Sequence, residues 1–328
     1  MSLSQVETPR PQWRRHVLLL AIWTVLGIGL VYLASLVDWS DVLVRAKAAD
    51  PVWLGLAVLA NLLPALPRAV TWVLLSHLPL RKTPAVLESQ LAILATVQSF
   101  SLFAGGATAM VLLTRRVGLA YPAALSLLTL DQLVTGFVKV ALIGLSVAFA
   151  HPPVWMGQVG LTLLAVMCLG VVILLAAHHR ERAIMSAAES FGPRVRTVMR
   201  FLARTAGHLS ALKDPLRSGA AFALMLFRRL SEGLAVVCVQ KAVGIPVSWE
   251  LALLVLTAMA IVTVIPQPPG NVGLYEAAVV LVYQSAGYPP DVAIAAALLQ
   301  HAAFLVMALT PGYLILFLRR PWRQALRR

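Results

Sequence analysis

This sequence has little charge: 12% of its residues are Asp, Glu, Lys or Arg against 60% hydrophobic, and the mean hydropathy is +0.84. So few polar groups cannot cover a water-soluble globule, and the composition is that of a polytopic helical membrane protein. Polar stretches are short as well. The longest, His178–Pro215, is too small to bury a core of its own, so no separate soluble domain is expected. Cysteine is nearly absent, and Cys168 and Cys238 both sit in apolar runs, so neither a disulfide framework nor a metal cluster is suggested. Enzyme signatures are missing too: there is no His-Glu-x-x-His zinc helix, no Gly-x-Ser-x-Gly elbow and no Gly-x-x-x-x-Gly-Lys-Ser/Thr loop. The seven histidines show no ligand spacing, so no metal and no cofactor is expected. Met1–Gln12 is polar and lacks the short apolar region and cleavage site of a signal peptide, so the first span is expected to act as its own insertion signal.

The charge that is present is one-sided, with 27 Lys and Arg against 13 Asp and Glu, a formal excess of +14. Nucleic-acid binders carry such an excess. Here, however, the cations stand at the ends of apolar runs, where they orient spans and meet anionic head groups. Membrane lipid, anionic by this argument, is the expected partner and nucleic acid is not. Spans are expected over about 17–37, 52–75, 123–150, 159–177, 218–242 and 292–318. They divide the chain into a first membrane half over 1–177, a basic linker over 178–217 and a second half over 218–328. In the linker, Val195, Val198, Leu202, Leu209 and Leu212 share one helical stripe, and Arg196, Arg200, Arg204 and His208 another. That pattern fits an amphipathic helix lying on the cytoplasmic leaflet or, equally, a solvated connector.

Two apolar blocks do not read as plain spans. The second, from about Leu251 to Tyr283, contains Pro266-Gln267-Pro268-Pro269-Gly270-Asn271-Val272-Gly273-Leu274-Tyr275-Glu276. This proline- and glycine-rich run cannot continue a helix. In hydrocarbon, a broken backbone persists only where protein or a water-filled cavity satisfies it. The alternative is an ordinary loop between two complete spans, and arm length decides. Leu274–Ala286 is 13 residues, about 20 Å of helix against about 30 Å of hydrocarbon. The first block, Leu91–Leu113, is read as broken at Gly105-Gly106, and its arm Ala107–Thr114 is shorter still, about 12 Å. Both are therefore expected to be hairpins, over 86–116 and 249–287, that turn back inside the membrane. Both termini then face the cytoplasm, with twenty of the 27 Lys and Arg residues on that side and Arg45, Lys47 and Lys241 outside. A bacterial-type inner membrane is the expected location.

The halves also echo one another. Thr83 precedes Gly105 by 22 residues and Ser248 precedes Gly270 by the same 22, while Gly118-Leu119-Ala120-Tyr121-Pro122 is echoed by Gly287-Tyr288-Pro289-Pro290. The expected fold is all-α and polytopic, two inverted repeats each with a broken hairpin, the layout of many secondary transporters.

Ionisable residues inside spans have to be explained, because each costs about 2.5–3.5 kcal/mol near a helix centre. Arg68 lies in a proline-kinked stretch of the second span and reads as snorkelling to the cytoplasmic head groups ahead of a central role. Asp131 and Lys139 are eight residues apart, too far for a direct pair, so each needs a partner across the bundle. Arg228 and Arg229 can pair locally with Glu232, but one carboxylate leaves a net cation, and either guanidinium fork suits a phosphate. Gln300 and His301 sit in the last span, His301 as a hydrogen-bonded core residue or a titrating one. At the second hairpin, the half-helix starting near Gly273 offers free N–H groups to an anion or to Glu276 itself. Glu276 is the strongest single candidate, because an intramembrane carboxylate is functional by default and burial favours its taking up a proton.

The block Pro266–Glu276 resembles the Pro-x-Pro-Gly-x-x-Gly-x-x-Glu signature of the transmembrane, flippase-like region of lysylphosphatidylglycerol synthases and their stand-alone relatives. Gly287–Leu299 resembles that family's alanine-rich downstream span. The family's first signature is similar to Ala104-Gly105-Gly106-Ala107-Thr108 followed by Arg115-Arg116 and Asp131, although no proline and no glutamate stand at this break. The resemblance implies movement of a lipid or lipid-linked substrate between leaflets. Without the family's soluble aminoacyl-transferase domain, it does not imply lipid aminoacylation. Gly270, Asn271, Gly273, Tyr275 and Glu276 are then expected at the site, with Arg228, Arg229, Lys139 and Arg68 drawing an anionic head group and Glu276 and Asp131 gating or coupling to protons. A membrane-embedded enzyme acting on lipid head groups and a transporter of a small soluble anion or metabolite remain open on the sequence.

Overall fold

Many of the helices start where the sequence supplies an acceptor for their free N–H groups. Asp38, Asp50, Asp214 and Ser248 each accept hydrogen bonds from the first turn of the helix that follows, and proline occupies the first turn after Asp50 and Asp214. The computed structural model describes residues 38–100, 102–179, 214–263 and 268–318. Among these there is no strand, and the helices are α1 (Trp39–Ala48), α2 (Pro51–Ala60), α3 (Ala65–Leu75), α4 (Thr83–Ser99), α5 (Leu102–Leu112), α6 (Tyr121–Phe149), α7 (Val154–His179), α8 (Pro215–Ala242), α9 (Trp249–Val262), α10 (Leu274–Ser285) and α11 (Pro290–Leu318). The expected span over 17–37 and the stripes of the 178–217 linker lie outside the described residues.

Three described stretches are long and apolar enough to cross a membrane: Pro51–Leu75, Tyr121–Phe149 and Pro290–Leu318. Large apolar side chains stand exposed along the helices, among them Phe137, Val147, Leu161, Val166 and Leu314. In water such a surface would aggregate; in lipid it is solvated. The protein is thus all-α, polytopic and membrane-embedded, as expected.

Pro51–Leu75 is kinked in its proline-rich stretch, as expected: the chain turns over Asn61–Pro64, where the Asn61 side chain donates to the Ala57 carbonyl at the end of α2. One expectation about helix breaks is corrected. The first hairpin breaks between Ser99 and Leu102, and Gly105-Gly106 lies inside α5. Gly105 serves packing instead: a methyl added there would overlap Val97 Cγ2, so its missing side chain lets α5 lie against α4. The second break is where the prolines put it. Gly270, Asn271 and Gly273 all have positive φ (69°, 58° and 86°), a region glycine enters freely and asparagine tolerates.

The arm α10 has 12 residues, about 18 Å of helix, and α5 continues through a π-helical turn over Leu113–Val117 to about 24 Å; both fall short of the hydrocarbon thickness of about 30 Å. Each packs against its own partner arm, and the two tips meet. α4 contacts the turn Pro269–Asn271, with the Gln98 carbonyl 3.7 Å from where a Gly270 Cβ would lie. The α11 residue Tyr313 donates to Ser99 Oγ at 2.6 Å and ties the first tip to the last helix.

Two apolar cores support this arrangement. One gathers Trp72, Leu113, Leu127, Leu130 and Val134 from α3, α6 and the end of the first hairpin. The other gathers Val255, Val279, Tyr283, Ala293 and Ala297 from α9, α10 and α11. Helix α8 belongs to both: Ala221 and Met225 enter the first core, Val236 and Val239 the second.

Candidate functional site

The stretch of α8 between its two apolar ends is where the charge lies. Arg228 follows Pro215 by 13 residues and precedes Ala242 by 14, so Arg228 and Arg229 sit about 20 Å from either end of the helix. Nothing at a helix midpoint can snorkel that far. Glu232, one turn on, takes both: Arg229 Nη1 donates to Oε2 at 2.7 Å, and Arg228 Nη2 lies 3.3 Å from Oε1. The local pairing expected from the spacing is present. The charge left over is also real, since one carboxylate faces two guanidiniums.

A second ion pair comes from across the bundle. Asp131 on α6 is 1% exposed, and both its oxygens are held: Oδ2 by Arg68 Nη2 at 2.9 Å and Oδ1 by Trp72 Nε1 at 2.7 Å. Arg68 and Trp72 are four residues apart on α3, hence on one face, and the guanidinium carbon of Arg68 stands 5.3 Å from the Trp72 ring. This corrects the reading of Arg68 as a snorkelling residue. Its partner is a buried carboxylate, which holds the guanidinium in the bundle because an unpaired Asp131 would be costly there. The expected cross-bundle partner of Asp131 is thereby found, and Trp72 is the member of the group that sequence reading missed. Its spacing of four from Arg68 was the available signal.

The two pairs are neighbours. Arg228 lies within electrostatic reach of both Arg68 and Asp131, and Lys139 within reach of Arg229. Lys139 is half-buried and has no ion-pair partner among the described residues. Arg68, Lys139, Arg228 and Arg229 thus face Asp131 and Glu232, four cations against two carboxylates, in the interior of a membrane protein.

The second hairpin builds a separate constellation. Glu276, in the first turn of α10, accepts from the Gly273 N–H at 2.7 Å through Oε2, and its Oε1 lies 2.6 Å from His301 Nδ1 on α11. The anion acceptor expected at the start of this half-helix is therefore Glu276 itself. The Tyr275 ring stacks on His301, centroids 4.3 Å apart, and the Tyr275 hydroxyl accepts from Gln300 Nε2 at 2.9 Å. His301 is 3% exposed, and its Nε2, like Gln300 Oε1, has no hydrogen-bond partner among the described residues. Buried polar atoms in this condition are uncommon. Tyr275 also connects the constellations, being within electrostatic reach of Glu276 and of Glu232.

Of the residues expected at the site, Arg68, Asp131, Lys139, Arg228, Arg229 and Glu232 come together in one group, and Tyr275, Glu276 and His301 in the adjoining one. Gly270 and Asn271 are in neither. They shape the turn at the hairpin tip, where the Asn271 N–H donates to the Pro268 carbonyl. Pro266 and Gln267, which open the signature, lie outside the described residues.

The described residues hold no group of three or more His, Cys, Asp or Glu arranged to bind a metal. No curated protein and no solved structure matches the chain at a significant level. The family described as lysylphosphatidylglycerol synthase TM region, a membrane family tied to lipid handling, matches residues 18–312, nearly the whole sequence, and the chain belongs to that family.

Proposed function

We propose that the protein moves an anionic, phosphate-bearing lipid or lipid-linked substrate between the leaflets of a bacterial-type inner membrane. The observation that carries this reading is the excess of cations inside the helix bundle, two of them at the midpoint of α8. Each of Arg68, Lys139, Arg228 and Arg229 costs about 2.5–3.5 kcal/mol to bury in a bilayer centre. Two carboxylates offset only part of that. Phosphate is the chemistry that arginine forks hold best, and a head group passing between leaflets must traverse this depth.

The architecture supports transport. The two hairpins, entering from opposite faces, form an inverted repeat, and both termini are cytoplasmic. Contacts between segments are consistent with that sidedness. Arg217 touches His77 at the side read as cytoplasmic, while at the other side Arg45 pairs with Asp291 and the Asp50 N–H donates to the Ala242 carbonyl at 2.9 Å. Glu276 gates the second hairpin, because its carboxylate both caps α10 and joins it to α11 through His301.

The test is translocation of fluorescent phosphatidylglycerol in vesicles reconstituted with the purified protein. Arg228→Gln and Arg229→Gln are expected to slow flipping at least tenfold, and Glu276→Gln to slow it comparably. Unchanged flipping in the arginine variants would sink the reading. A chemically altered lipid recovered from the vesicles would replace it with an enzyme.

A further inference from the structure

The two carboxylates of the cation group are held differently. Asp131 is 1% exposed and gives one oxygen to Arg68 and the other to Trp72, two partners on a single face of α3. It is a fixed counter-ion. Glu232 keeps 20% of its side chain exposed, receives one hydrogen bond, from Arg229, and meets Arg228 only at 3.3 Å, beyond ordinary N–H···O range. Both of its partners are on its own helix, three and four residues back, so the contact comes with the helix and ties Glu232 to no other element. The arginine forks are also underused. Arg229 offers Nη1 alone to Glu232, and its Nε is buried without a hydrogen-bond partner among the described residues. A ligand able to take Nε and Nη together would be held better than Glu232 is.

Resting on the transport reading above, we infer that Glu232 is a displaceable internal counter-ion. It holds Arg228 and Arg229 between transport events, and the phosphate of an incoming head group takes its place. A phosphate brings more acceptor oxygens than a carboxylate and fits the guanidinium fork two-pronged. The exchange spares the protein two unpaired guanidiniums at a helix midpoint whenever the substrate leaves.

The experiment measures equilibrium binding of dihexanoyl phosphatidylglycerol and, in a second arm, inorganic phosphate to the purified full-length protein in detergent. Glu232→Gln cannot compete as an anion, so it is expected to bind the short-chain lipid about tenfold more tightly, the equivalent of about 1.4 kcal/mol. Glu232→Asp, whose shorter arm reaches the arginines poorly, should tighten it less and carries the test if the glutamine variant does not fold. A counter-ion that only stabilised the helix would change the melting temperature and not the affinity. Parallel tightening of inorganic phosphate assigns the site to the phosphate alone, whereas tightening of the lipid only assigns it to the head group as a whole; either supports displacement. Unchanged or weaker lipid binding by Glu232→Gln, alongside weaker binding by Arg229→Gln, overturns displacement and leaves the transport reading standing. If Arg228→Gln and Arg229→Gln also bind normally, the transport reading itself fails.

Discussion

Asp131 is the residue at which one substituted atom should matter most. Its two oxygens neutralise Arg68 and satisfy the Trp72 indole, and it has no solvent to fall back on at 1% exposure. Asp131→Asn keeps the shape and one acceptor but leaves Arg68 without its countercharge. Breaking a buried ion pair costs about 3–5 kcal/mol. The low end applies here, since Arg68 retains 28% side-chain exposure. A clear fall in the melting temperature of the detergent-solubilised protein is expected. Replacing Asp131 and Arg68 together by Asn and Gln should recover part of that loss, because no unpaired charge remains. A double variant less stable than either single one would mean that the two residues do not act as a pair.

At the scale of elements, the hairpins owe their closeness to glycine rather than to their apolar content. Gly105 has Val97 in front of it, a side chain, so Gly105→Ala forces overpacking that costs about 1–3 kcal/mol and that Val97→Ala should relieve. Gly312, where α11 crosses α4, is different. An added methyl would meet the Leu91 carbonyl oxygen at 2.5 Å as well as Ala95, and backbone cannot be trimmed. Gly312→Ala is therefore expected to destabilise more, with no single side-chain substitution restoring it. Thermal unfolding of the two glycine variants and of the Val97→Ala, Gly105→Ala double variant checks both statements. The same comparison explains why the first break was misplaced from sequence. Two adjacent glycines look like a helix breaker, yet one of them is required by a neighbour that only the folded arms bring close. The second break carried prolines, whose missing N–H acts locally, and so it was legible.

At the scale of the molecule, the question is which ends of the helices share a face of the membrane. With cysteine-free protein as background, single cysteines at Arg81, Arg115, Lys47 and Lys241, all exposed, can be probed with a membrane-impermeant maleimide. Residues 81 and 115 should be modified from the cytoplasmic side, and residues 47 and 241 from the other. Labelling of 81 and 115 from opposite sides would mean that the first hairpin crosses the membrane, and the inverted arrangement would be lost. The contacts Arg45–Asp291 and Arg217–His77 make a coherent expectation, because each joins segments that the distribution of basic residues puts on the same face.

What the sequence determined by itself is whatever acts over one or two helical turns. Apolar run length pointed to Pro51–Leu75, Tyr121–Phe149 and Pro290–Leu318 as stretches able to cross a membrane, and the prolines marked the second break. The spacing of Arg228, Arg229 and Glu232 prescribed their pairing, since residues three and four apart on a helix are neighbours in any fold. What tertiary structure decided is every partner chosen across the bundle. Arg68 meets Asp131 rather than a head group, Glu276 meets His301, and the two hairpin tips meet each other. No local pattern encodes such contacts, because they join residues 25 to well over 100 positions apart, and only the packing of the helices on one another brings them together.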